Sequence, residues 1–442
     1  MRPKHSIRLL IIYSFVLTAF TDGKNNINAY TKINQKYNAP TSYYDTTNPT
    51  TASFLLISDI HLNSSATQNA AHGDTGDSLW LAAKREIDTL IAGKKPKFII
   101  VLGDLPKHDN TTKEDSNNVR QNIEQVLTWF KDSANIPAGV PLIYVPGNND
   151  SWNGDYSAFT LPDSIYNGYA YPFIHVDSAK AAGHACIAND SLQRSIGCYS
   201  VYPLGRANKL KLIVLNTVIF TKNNNLPYSP DPQRQAIDAT TEINWLLAQL
   251  EQAKQNDEKV LLAMHVPPGI DGFAGTDMWY DTNIENIFLN AIDKYHNNIT
   301  GLLAGHTHMD GVRLLLDSTN HVDALLLSAA GIAPGHGNNP GVKLVQYNDS
   351  DYTLKDFTEY YMNFWNADKT GTVRDWDSSF SFSSLAADYN ISSMTMLNWF
   401  QKNNKDNIDN LEYSIYSDKS DKPEGSSFIN EVNSSIYVSY RK

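Results

Sequence analysis

Cysteine is nearly absent from this chain: Cys186 and Cys198 are the only two in 442 residues. They lack the paired spacing of a thiolate zinc site, and two thiols alone cannot close one. In an exported chain they would form a short-range disulfide, with two reduced, buried thiols as the alternative. Basic charge is also short, 36 Lys and Arg against 47 Asp and Glu, for a net charge of -11. That balance argues against a nucleic-acid scaffold as partner, because binders of phosphate backbones usually carry a basic face. It leaves a small phosphate substrate open, since bound cations would dominate the local field. Beyond the first twenty residues no apolar run is long enough to span a bilayer. Internal repeats and low-complexity tracts are missing as well.

What is present reads as a folded protein. Hydrophobic residues make up 41% and charged residues 19% of the chain, ordinary for a globular domain and against global disorder. Residues 1–22 have the pattern of a secretory signal: Arg2, Lys4 and Arg8 precede an apolar run from Leu9 to Phe20. The expected location is secreted, periplasmic or lumenal, with an uncleaved membrane anchor as the alternative. Residues 23–50 lack periodicity and read as an exposed lead-in.

From residue 51 strands and helices alternate. Phe54–Ile57, Phe98–Leu102 and Leu142–Val145 read as buried strands. Between them, apolar stripes from Leu79 to Ile91 and from Val119 to Phe130 read as helices. Residues 151–200 show no period and read as a surface insertion holding both cysteines. Strand signals return at Leu210–Leu215, Val260–Met264 and Leu302–Ala304, with helices around Ile243–Leu250 and Ile284–Tyr295. Then strands run in series: Val312–Leu316, Ala324–Leu327, Val342–Tyr347. This order predicts a layered α/β sandwich over residues 51–363, not a pure doubly wound sheet. Residues 364–442 read as a small helical C-terminal extension with one amphipathic helix at Met394–Phe400.

The strand ends carry the chemistry. They read Asp59-x-His61, Gly103-Asp104, Gly147-Asn148-Asn149-Asp150, His265-Val266-Pro267-Pro268-Gly269 and Gly305-His306-x-His308. On extended backbone, residues two apart point the same way, so Asp59 with His61, and His306 with His308, would each grip one ion together. Open α/β sheets place ligands just past the carboxyl ends of their strands. Two divalent cations side by side need a bridging anion, for which Asp104, alone on its turn, is suited. Any one of these residues alone would be an ordinary turn, cap or surface residue; five such segments in this order read as one metal centre.

These segments resemble the calcineurin-like metallophosphoesterase superfamily, and within it the acid sphingomyelinase-like phosphodiesterases. Gly103-Asp104-Leu105-Pro106-Lys107-His108-Asp109, Leu215-Asn216-Thr217, Gly305 to Asp310 and Asn339-Pro340-Gly341 carry the narrower likeness. The resemblance implies a four-layer α/β/β/α sandwich and two divalent metal ions, zinc before manganese or iron. Asp59, His61 and His308 would bind one ion; Asn148, His265 and His306 the other; Asp104 would lie between. The activity implied is hydrolysis of phosphate diesters, of lipid head-group or nucleotide type, by a hydroxide shared between the metals. His108 would protonate the leaving group. The chain departs from the superfamily at Asn149, where a histidine usually contacts the phosphate; asparagine can donate a hydrogen bond to substrate but cannot act as a general acid. The Gly-Asn-Asn-Asp string also resembles eukaryotic endopolyphosphatases, which keeps hydrolysis of phosphoanhydrides open. A catalytically inactive binding protein is the remaining alternative. Membrane contact would come only through a lipid substrate or the uncleaved signal.

Overall fold

The computed structural model describes residues 51–65, 73–108, 113–132, 135–137, 139–151, 155–157, 173–177, 183–222, 232–271, 279–364, 373, 375–417 and 436–439. The expected signal at 1–22, the expected lead-in at 23–50 and Asp109 lie outside them. Among the described residues no helix is long and apolar enough to cross a membrane.

The first sheet is built around β1 (Thr51–Ile57), β2 (Ile99–Val101) and β3 (Leu142–Tyr144), which pair in parallel, with β4 (Phe173–Ile174) antiparallel at one edge. The second holds β5 (Cys186–Asn189), β6 (Tyr199–Tyr202), β7 (Leu210–Val214), β8 (Lys259–Ala263), β9 (Ile299–Ala304), β10 (Gly311–Leu316) and β11 (Val322–Ser328). β12 (Gly341–Asn348), β13 (Leu354–Tyr361) and β14 (Ser378–Ser381) return to the first sheet, and β15 (Tyr437–Val438) closes the second. The helices are α1 (Asp77–Lys94), α2 (Lys113–Lys131), α3 (Pro232–Gln255), α4 (Thr282–Tyr295), α5 (Phe382–Leu385), α6 (Met396–Lys402) and α7 (Lys405–Ser417).

Strand periodicity sorts the side chains into layers. Phe54 and Leu56 of β1, Ile100 of β2, Leu212 and Val214 of β7, and Leu261 of β8 fill one core between the sheets. Their neighbours Leu55, Ile57 and Ile99 pack outward with Leu79, Ile87 and Ile123 of α1 and α2. On the other side Ile213, Val260 and Leu262 pack outward with Leu246 of α3 and Phe288 of α4. The architecture is therefore the expected α/β/β/α sandwich, and its sheets read as near-continuous apolar runs because both faces are covered.

Three readings change. The segment 151–200 is more than a surface insertion: β5 and β6 extend the second sheet, and Tyr199, Ser200, Val201 and Tyr202 are all buried. Cys186 and Cys198 are free thiols, not a disulfide. Cys186 pairs with Tyr202, four positions beyond Cys198 along the chain. At about 3.3 Å per residue that spacing exceeds the roughly 7 Å limit between bridged Cα atoms. The tail is not only helical: β14 pairs with β13, β15 pairs with β10, and Phe382, Trp399, Phe400, Leu411 and Ile415 join the core between the sheets. Their burial is what fixes the tail to the sandwich.

Two carboxyls are buried away from the site. Glu242 of α3 accepts from Asn216 N at 2.7 Å, and Glu412 of α7 from Val312 N at 2.7 Å. Burial pushes each up from 4.5 to about 8. The folded chain thus holds these protons more tightly than the unfolded chain. Their stabilising effect is complete below pH 4.5 and lost as pH rises through about 8, at about 1.4 kcal/mol per group per pH unit in that window. Glu242→Gln, which cannot ionise, is expected to flatten the fall in melting temperature between pH 5 and pH 8. An unchanged slope would place Glu242 in its charged form.

Candidate metal centre

Each candidate ligand follows the carboxyl end of a strand. Asp59 and His61 follow β1, Asp104 follows β2 and Asn148 follows β3, on adjacent parallel strands of one sheet. His265 follows β8 and the pair His306 and His308 follows β9, adjacent in the other. The chain is not extended where the ligands sit. Asp59, His61, Asp104, His306 and His308 have φ of 46°, 43°, 53°, 69° and 55°, in the left-handed region. This corrects the geometry expected for residues two apart: a tight turn, not pleat alternation, aims each pair. Such backbone is costly for a residue with a Cβ and persists where the surroundings enforce it, as at functional sites.

The surroundings here are hydrogen bonds. Asp59 N donates to Gly103 O at 3.1 Å, His61 N to Asp104 O at 2.9 Å, and His306 N to both Asp59 carboxylate oxygens at 3.1 Å. Asp150 binds two loops at once, accepting from Asp104 N at 2.9 Å, Leu105 N at 2.8 Å, Gly147 N at 2.7 Å and the Tyr144 hydroxyl. Gly147 is required by closeness: a Cβ there would lie 2.2 Å from Asp104 Oδ1.

Three imidazoles are held by one device. His61 Nδ1 donates to Pro106 O at 3.0 Å, His265 Nδ1 to Leu102 O at 2.5 Å and His308 Nδ1 to Ala333 O at 3.1 Å. Each bond fixes the tautomer and turns Nε2 toward the carboxylates, as outer partners of metal ligands do. Asp104 Oδ2 lies 3.3 Å from Nε2 of both His61 and His265. Asp59 Oδ1 lies 3.6 Å from His308 Nε2 and 3.9 Å from those of His61 and His265. Asp155 takes the Asn148 amide hydrogen at 2.7 Å, which leaves Asn148 Oδ1 facing His265 Nε2 at 3.0 Å. The Tyr156 hydroxyl meets His306 Nε2 at 3.1 Å.

The electrostatics follow from burial. His61 and His308 are held well below 6.5, first by burial and then by neighbouring histidine rings, so both are neutral. Their Nε2 atoms face each other at 3.2 Å, each a lone pair because Nδ1 carries the hydrogen. Two buried acceptors in contact are unfavourable unless a cation lies between them. Burial favours a neutral His265, but the carboxylates of Asp104 and Asp59 outweigh it and lift the ring to about 10. Burial raises Asp59 to about 7, His265 opposing and Asp104 adding. All seven predicted ligand side chains are thus brought together, and three overlapping sets could each hold an ion: Asp59, His61 and Asp104; Asp104, His265 and His306; His61, His108 and His308.

Asn149 is engaged with Asp104. Its side-chain amide donates to Asp104 Oδ2 and its backbone N–H to Asp104 Oδ1, both at 2.8 Å, and the residue is buried. His108 stacks on His61 with ring centroids 3.7 Å apart, and its Nδ1 donates to Asp74 Oδ1 at 2.6 Å. Burial lowers its pKa, but the bond and charge of Asp74 outweigh that, so it stands above 6.5. Its side chain is 44% exposed, which leaves it open to a substrate.

Sequence reasoning missed Asp74, Asp155, Tyr156, Trp279 and His336. The Trp279 and His336 rings lie 4.4 Å from His306 and 4.5 Å from His308. None stands in a strand-end string, and none carries a local signal that separates it from a loop residue.

Residues 52–310 match the sequence profile of the calcineurin-like phosphoesterase family. The human cyclic GMP-AMP phosphodiesterase SMPDL3A is 27% identical over 294 residues, which cover 63% of this chain and 59% of that protein. The mouse acid sphingomyelinase-like phosphodiesterase 3b is 28% identical over 208 residues, 44% of each chain. The sphingomyelinase phosphodiesterase C of Dictyostelium discoideum is 25% identical over 324 residues, 69% of this chain and 66% of that one. The chain thus spans less than two thirds of the human relative's length. With its profile match over more than half of the sequence, the chain belongs to the calcineurin-like phosphoesterase family.

Proposed function

We propose that this chain is an exported phosphodiesterase that hydrolyses phosphate diesters, of lipid head-group or nucleotide type, with two divalent cations. The carrying observation is the pair of neutral histidine nitrogens, His61 Nε2 and His308 Nε2, buried 3.2 Å apart with no hydrogen between them. Asp59, His61 and His308 would hold one ion and Asn148, His265 and His306 the other, with Asp104 between them. The donors are nitrogen and oxygen throughout, which suits zinc and also manganese or iron. When bound, the ions would acidify a shared water and offset charge on the phosphate oxygens.

The chain's own residues would do the rest. Carbonyls of Pro106, Leu102 and Ala333 keep three imidazoles aimed inward. Asn149 keeps Asp104 oriented with two hydrogen bonds. His108, its Nδ1 held by Asp74, has Nε2 left to give a proton to the departing oxygen. An acid in that position matters most for a poor leaving group, which favours a diester over an anhydride. Relatives named for cyclic GMP-AMP and for sphingomyelin support the same class. Export rests on the secretory pattern of residues 1–22.

The test is a panel of bis-p-nitrophenyl phosphate, cyclic GMP-AMP, sphingomyelin, ATP and polyphosphate, with zinc or manganese. Cleavage of the diesters is expected. Turnover confined to ATP and polyphosphate would overturn the reading in favour of an anhydride hydrolase, and no turnover of any in the metal-loaded protein would favour a binding protein.

A further inference from the structure

Far from the candidate centre, a second set of ligand-bearing side chains meets at the opposite end of the second sheet. Asp293 lies in the last turn of α4, His296 caps that helix, and Asp323 lies near the start of β11. Asp293, His296 and Asp323 offer ligand atoms within 4.8 Å of one another. They precede or flank the start of β9, whose far end leads to His306; six residues of strand, about 20 Å, separate the two places.

We propose that Asp293, His296 and Asp323 form a further divalent-cation site, of the zinc or manganese class, that ties α4 to the hairpin joining β10 and β11.

The first argument is a buried oxygen. Asp323 is 9% exposed, and its Oδ2 is shielded from solvent with no hydrogen-bond partner among the described residues. Burying such an atom unpartnered is unfavourable, the more so when it is charged. Its other oxygen, Oδ1, lies 3.6 Å from His321 Nδ1, so the carboxylate is held from one side and left bare on the other. The second argument is register. β10 and β11 pair Leu315 with Ala324 but Leu316 with Val322, which leaves Asp323 as the extra residue of a bulge. Bulges re-aim a side chain at the expense of a ladder position. The third is the imidazole. His296 Nδ1 donates to Asp293 O at 2.6 Å, which fixes the tautomer and leaves Nε2 as the lone-pair nitrogen.

The donor set decides the class. One imidazole and two carboxylates without thiolate suit zinc or manganese, with water filling the remaining positions. Two carboxylates also balance a dication, whereas without one they repel each other across a partly desolvated gap. The adjoining set of Asp317, His321 and Asp323 is the weaker candidate. Asp317 Oδ1 already accepts from Thr319 N at 2.7 Å, Thr319 Oγ1 at 2.8 Å and His321 N at 2.8 Å, as in a closed turn.

The full-length protein is stripped with chelator, reloaded with zinc chloride or, separately, manganese chloride, dialysed and analysed for bound metal. One equivalent fewer is expected in His296→Ala than in wild type, with hydrolysis unchanged and part of the metal-induced rise in melting temperature lost. Asp323→Asn is expected to lose the same equivalent. Asp104→Asn, expected to release at least one cation from the candidate centre, is expected to keep it, so the two sites fail independently. His296 is half-buried at a helix end and its replacement leaves the core intact, so that variant decides the matter even if Asp323→Asn does not fold. Equal metal content in wild type and His296→Ala would overturn the site.

Discussion

Asp104→Asn is expected to lower kcat/KM on bis-p-nitrophenyl phosphate by about a thousandfold or more and to release at least one bound cation. Removing a mere outer partner of a metal ligand costs about 10–100-fold, and Asp104 is placed closer than that. Its Oδ2 lies 3.3 Å from both His61 Nε2 and His265 Nε2, so it serves both halves of the centre. Burial would raise its pKa, but His265 and the other rings outweigh burial and hold it well below 3.8, as a carboxylate. The amide removes that charge. It also turns an N–H₂ group toward one of two donors, the Asn149 amide or the Asn149 backbone N–H, each of which now donates to Asp104 at 2.8 Å. The variant keeps the side-chain volume, so a melting curve near that of the metal-free wild type should accompany the loss. Full metal occupancy with full activity would remove Asp104, and with it the ligand assignment.

His108→Ala is expected to cost about 10²–10⁴-fold on diesters with alkoxide leaving groups and far less on p-nitrophenyl esters. An alkoxide must be protonated as it departs, whereas p-nitrophenolate is stable as an anion. His108 is the stacked neighbour of His61, 44% exposed and anchored through Nδ1 to Asp74, so its Nε2 is left free to donate a proton beside the ligand cluster. Asp74→Asn should reproduce part of the effect, since an amide supports the cationic ring poorly. The measurement is a plot of log kcat/KM against leaving-group pKa for wild type and both variants. A steeper slope in the variants is expected. Parallel lines would mean that His108 shapes the pocket or touches an ion without donating a proton.

Much of the sandwich was legible because its strands are unbroken apolar runs and its helices carry stripes at spacings of three and four. Strands with charged or polar faces were not. β13 reads LKDFTEYY, yet Asp356 and Glu359 are buried: Ser383 N and Oγ donate to Asp356 at 3.1 and 2.6 Å, and Lys343 of β12 lies 3.8 Å from Glu359. β5 and β6 escaped for a similar reason: short strands beside a long polar stretch have no period of their own to display. The cysteines show the limit of proximity in sequence, because a strand register, not a residue count, sets how far apart they stand.

The sequence by itself determined the family and which residues are candidate ligands, since both depend on residue types at the ends of consecutive strands. Tertiary structure alone decided how those residues face one another. Which nitrogen of each histidine points inward depends on carbonyls of Pro106, Leu102 and Ala333, which lie 45, 163 and 25 positions away along the chain. Whether Asn149 faces substrate or Asp104, and whether His108 finds an Asp74 to hold it, depends likewise on distant segments brought within 3 Å. Side-chain orientation is a property of long-range contacts, and local patterning carries no record of them.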